Sequence, residues 1–119
     1  MAMIRMLLPL AVLLASPVAA QEAAAPPPVG YDDAVTCAFI AISLVMRDDT
    51  KSAEKKAAGA LGSRYIEYAE SLSDKATSEV VADMAIAGDT VIADAKKSAK
   101  PLADLKARYA DCESKAKLF

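Results

Sequence analysis

At 119 residues with 14 basic and 16 acidic side chains, the chain is one domain long and slightly acidic, without the basic excess that nucleic-acid binding needs. It contains no His, Trp or Asn, which removes the commonest acid–base group and zinc ligand near neutral pH and leaves no glycosylation sequon. With no nucleophile–base set, metal motif or nucleotide loop, the sequence points away from an enzyme, and no cofactor is expected.

Residues 1–20 have the build of a secretory signal peptide. Arg5 sits in a short positive start, residues 6–15 are apolar, and Val18-Ala19-Ala20 forms a small-residue cleavage site before Gln21. Cleavage after Ala20 would leave 99 residues with 13 basic and 16 acidic side chains, because Arg5 departs and no carboxylate does. A periplasmic or secreted protein is expected, and an Ala-rich composition suits the first. No later apolar run is long enough for a membrane span. Export would put Cys37 and Cys112 in an oxidising compartment, where two cysteines in a small domain are expected to pair.

Residues 21–30, QEAAAPPPVG, form a Pro/Ala-rich leader that favours extended, solvated polyproline conformation. Residues 31–119 then read as a single helical domain. A first helix is predicted from Asp32 or Asp33, either able to cap it, to Arg47. Its residues 34–46 are apolar except Thr36 and Ser43, which predicts a central helix buried on most of its circumference. Asp48-Asp49-Thr50 makes a polar turn and offers the next cap. The second helix, over residues 50–71, carries the stripe Ala53, Ala57, Ala60, Leu61, Tyr65, Tyr68, Leu72, interrupted by Gly59 and Gly62. Glycine there costs up to about 1 kcal/mol against alanine, a cost that close approach of a neighbouring helix would explain.

After a break at residues 71–75, Ser73 or Asp74 can cap a third helix. Its stripe is Ala76, Val80, Met84, Ala87, Val91, Ala95, with Val81, Ala85 and Ile92 beside it. Gly88-Asp89-Thr90 could split this helix, but the stripe keeps its phase across the glycine, which favours continuity. Lys96, Lys97 and Lys100 suit its C-terminal end. Pro101 opens the fourth helix, and Leu102, Leu105, Tyr109, Cys112 and Ala116 form its apolar seam.

The fold class is therefore all-α, a small four-helix up-down bundle clamped by one disulfide, with a broken third helix as its variant. In that topology the start of the first helix and the end of the fourth share one end of the bundle. Cys37 and Cys112 each fall one to two turns from that end, so pairing and topology support each other. The acidic pairs Asp32-Asp33 and Asp48-Asp49 fit capping better than calcium, which needs six to eight oxygens. The lysines at 51–56 and 96–100 read as solvated faces.

The functional expectation is a non-enzymatic module that binds a protein or peptide partner, or a second copy of itself. The first helix is more apolar than one core requires, and a surplus apolar face commonly marks a contact surface. Phe39, Ile40, Leu44, Tyr65, Tyr68 and Tyr109 are the residues expected at that surface or pocket, with the tyrosine hydroxyls at the rim. One alternative is a carrier of small apolar ligands in a cavity between the helices. Another is an acid-triggered periplasmic chaperone, since many carboxylates and no His concentrate the charge swing below about pH 4.

Overall fold

The apolar segment after Gly30 forms α1 (Tyr31–Met46), followed by α2 (Ser52–Ser73), α3 (Thr77–Lys97) and α4 (Pro101–Ala116) in a computed structural model that describes residues 26–119. Residues 1–20, expected to be a signal peptide, and residues 21–25 of the expected leader lie outside the described residues. No strand is present among the described residues. The helices alternate in direction, and Cys37 is bonded to Cys112 with their Cα atoms 5.6 Å apart.

α1 is the centre of the bundle. All three other helices pack on it, α2 most extensively, while those three touch one another little. Within α1 only Asp32, Asp33 and Met46 are exposed. Val35, Ile40 and Leu44 are at most 3% exposed, each a burial that contributes roughly 1.5–3 kcal/mol. The apolar excess of this helix is thus taken up by having three neighbours instead of two.

The α1–α2 seam is built from small residues. Ala38 and Ala41 on α1 and Ala58 and Ala69 on α2 have no exposed surface. A Cβ built on Gly62 would come within 3.3 Å of Ile42 Cγ1, so the glycine leaves room for a side chain that a methyl would crowd. This sets the phase of α2. Its buried line is Ala58, Gly62, Tyr65, Ala69, and the predicted Ala53, Ala57 and Ala60 face outward.

α3 runs unbroken through Gly88, as the phase of its stripe indicated. The reason for the glycine is Phe39 of α1, whose ring occupies the space a Cβ would need. Val80, Met84, Gly88 and Val91 form the buried side of this helix.

The helix ends differ from expectation. Asp32 and Asp33 lie in the first turn of α1, favourable to its dipole, while Gly30 is the N-cap. Lys51 caps α2 without a side-chain bond, and Thr50 is buried with its Oγ1 unpartnered among the described residues. Asp74 closes α2 instead of opening α3. It adopts the left-handed conformation (φ 57°) and its N–H donates to Glu70 O at 3.0 Å. α3 starts after Ala76, whose N–H points to Glu79 Oε1 at 3.5 Å.

The leader is shorter than its composition suggests. Pro26, Pro27 and Pro28 are exposed, but Val29 is 2% exposed and its carbonyl accepts from the Tyr68 hydroxyl at 2.9 Å. An apolar side chain next to the first helix docks as part of the core. No helix among the described residues is long and apolar enough to cross a membrane.

Candidate interaction surface

The six residues expected at a contact surface do not converge. Ile40, Leu44 and Tyr65 are core residues, at 3%, 1% and 0% exposure, and so cannot be a surface of the folded chain. Tyr65 is wholly enclosed; its hydroxyl donates to Cys112 O at 2.5 Å, tying α2 to α4 beside the bridge. Burial, with Asp111 adding to it, pushes this phenol up to about 12. Tyr68 is half-buried and stacks on Phe119 with ring centroids 3.8 Å apart, while Tyr65 meets the same ring edge-on at 5.2 Å. Arg64 lies 5.0 Å from the Phe119 ring centroid and donates to its backbone oxygen. Phe39 is half-buried in the Gly88 notch, remote in sequence and in contacts from this aromatic group. Tyr109 is half-buried on α4, its phenol raised mainly by burial.

The exposed apolar surface belongs instead to α3. Among the described residues the large apolar side chains left open are Met46, Val81, Ile86, Ile92 and Leu118. Three of them sit on one helix, with Val81 at 42%, Ile86 at 68% and Ile92 at 45% exposure. Ala82, Ala85 and Ala93 are exposed between them, and the single charge within this face is Asp89. Helical geometry explains the placement. Residues one position beyond the buried Val80, Met84 and Val91 are turned about 100° outward, which puts Val81, Ala85 and Ile92 on a second row.

On one side this face borders a groove of about 630 Å³ between α1 and α3. Val35, Ala87 and Val91 give it an apolar lining, and ion pairs stand at both ends. At one end Asp83 Oδ2 accepts from the Tyr31 hydroxyl at 2.5 Å and from Lys75 Nζ at 2.7 Å. Lys75 also lies 4.7 Å from the Tyr31 ring centroid. Lys75, and then Tyr31, hold the Asp83 carboxyl below the usual carboxylate range. Tyr31 is raised in turn, by burial and by that carboxylate, which leaves it a hydrogen-bond donor and not a base. At the other end Arg108 of α4 reaches Asp94 at 2.6 Å. These groups are matched to one another and form the end walls of the groove. Among the described residues no group of three His, Cys, Asp or Glu side chains is placed to hold a metal ion.

In the sequence Val81, Ala85 and Ile92 stand out only as a row flanking the stripe, and Ile86 falls outside both. The signal was present. An apolar arc that extends a full position beyond a continuous buried stripe is wider than one seam requires. No protein-family model matches the chain, and neither the curated proteins nor the solved structures include a significant match.

Proposed function

We propose that the protein is an exported, non-enzymatic interaction module whose contact surface is the outer face of α3. The observation that carries this reading is the outer side of α3, where exposed Val81 and Ile92 share one row and exposed Ile86 stands across from it, with Ala82, Ala85 and Ala93 between them and one charge in the middle. Exposed apolar area concentrated on one helix, and rimmed by charge at both ends, is the pattern of a protein contact site. Export follows from the signal-like residues 1–20 and is consistent with the Cys37–Cys112 bridge. The carrier reading has less to build on, because the Tyr65 and Tyr68 hydroxyls are already bonded to the carbonyls of Cys112 and Val29.

A photo-crosslinking residue at position 86, compared with one at the exposed Glu67 of α2, tests the proposal in the native compartment. Adducts are expected from position 86 and not from position 67, and Val81→Asp with Ile92→Asp should abolish them. If the probe at position 86 yields no adduct of any mass, the interaction reading fails.

A further inference from the structure

Building on that reading, we infer that the occupant of the α3 face is a second copy of this chain, packed α3 against α3 in an antiparallel, two-fold arrangement. Ser78, Ala82, Ala85, Asp89, Ile92 and Lys96 recur at alternating spacings of four and three, so they form one straight row along the helix, and all are exposed. A two-fold axis at the level of Ala87 maps this row onto itself. It sets Ala82 against Ile92 of the second copy, Val81 against Ala93, and Ala85 against Asp89. At both apolar pairs a large side chain meets a small one, which lets two helices approach with the knobs of one in the gaps of the other. A contact of this kind is isologous, so it closes at two copies.

Charge selects the direction. Glu79 lies in the first turn of α3 and Lys96 and Lys97 in the last, about 27 Å apart at 1.5 Å per residue. Antiparallel packing brings each Glu79 to the lysines of the other copy, whereas parallel packing would set lysine against lysine. Asp89 is the one unfavourable element. It lies within a turn of the axis, so the two copies place like charges near each other. A single-helix contact also falls short of the ~800 Å² per partner of a standard interface, so the dimer is weak and reversible.

Sedimentation velocity on the oxidised mature protein, from about 10 µM to about 1 mM, reads this directly over the range where small interfaces associate. A monomer–dimer equilibrium is expected. Ile92→Asp should leave a monomer with an unchanged melting temperature, because Ile92 is half exposed and its loss opens no cavity. Asp89→Ala should tighten the dimer several-fold by removing the like-charge contact. Lys96→Glu with Lys97→Glu should weaken it by roughly tenfold, and adding Glu79→Lys should restore it. Because Glu79 also faces the Ala76 N–H, restoration is read from the dissociation constant well below the melting temperature of each variant. A monomer throughout, association indifferent to Ile92→Asp, or no rescue by the triple charge reversal would each overturn the inference. Monomeric sedimentation with adducts at position 86 of other masses defeats the second copy alone; monomeric sedimentation with no adducts defeats the contact surface as well.

Discussion

α1 is held to α2 and to α4 by opposite means. Against α2 it uses a long seam of alanine and glycine, where Ala38, Ala41, Ala58, Gly62 and Ala69 let two backbones come close with no covalent tie. Against α4 the contact is shorter, and α4 buries only Leu105, Cys112 and Ala116 along its length. The disulfide is its tie to α1, while the Tyr65 bond to Cys112 O, the Phe119 ring and the exposed Lys106–Glu54 pair at 3.3 Å tie it to α2, and the exposed Arg108–Asp94 pair at 2.6 Å ties it to α3. Exposed pairs contribute about 0–1 kcal/mol each. Dispersion and burial suffice where small side chains permit intimacy; a mostly polar helix needs a crosslink.

The largest way to break this contrast is Cys112→Ser. Removing a bridge that closes a loop of 75 residues should lower stability by roughly 2–5 kcal/mol in a urea melt. Hydrogen exchange should then show α4 amides opening well before those of α2. If α2 opens first, the division between a packed seam and a clamped helix is wrong.

Gly88→Ala comes next and probes intimacy without a bond. Alanine gains up to about 1 kcal/mol of helix propensity, but its methyl overlaps the Phe39 ring, and overpacking costs about 1–3 kcal/mol. A net loss in urea stability is expected, reversed in sign when Phe39→Leu is added. A gain in the single variant would show that the ring yields freely.

Tyr65→Phe should cost about 1 kcal/mol, more if the buried Cys112 carbonyl is left without a donor. It also has an alkaline signature. The folded phenol is raised from 10.0 to about 12, so its contribution is whole below pH 10 and disappears as pH rises towards 12. Melting temperature against pH should fall less steeply over that window in the variant, with phenolate absorbance tracking the difference.

The smallest effect is expected at Asp83, whose partners Lys75 and Tyr31 lower its pKa. Its contribution is present above the ordinary carboxylate range near 3.9 and is lost as pH falls through the lower folded value. Asp83→Asn should flatten the acid limb of stability slightly, and added salt should shrink the difference because the Lys75–Asp83 pair is partly exposed.

The Cys37–Cys112 bond was readable because both cysteines fall near the same end of an up-down bundle, and helix number and order because they depend on period and length, which are local properties. The continuity of α3 was readable for the same reason. The phase of α2 was not. Whether Ala57 or Ala58 turns inward depends on where Gly62 admits Ile42, a fact of the partner helix and not of the stripe. Capping failed where several polar residues competed: Asp74 served the helix before it, and Thr50 was drawn into the interior. The apolar excess of α1 points to a surface at Phe39, Ile40 and Leu44, with Tyr65, Tyr68 and Tyr109 of α2 and α4 beside it. Hydrophobicity alone cannot tell a helix with three neighbours from one with a bare face, and α3, less apolar overall, is the helix that keeps Ile86 in the open.

Because the bond joins the first helix to the last, residues 37–112 form a covalent ring that contains all three inter-helix turns. A protease that nicks after Lys51 or Lys75, in two of those turns, opens that ring once without separating anything. The product gains a water in mass and stays one molecule in solution, its four helices still tethered, until a reductant reaches the bridge. Nicked and intact chains would co-migrate unless the sample is reduced. A loss in the cell would therefore be governed less by the first cut than by the second, or by whatever supplies electrons.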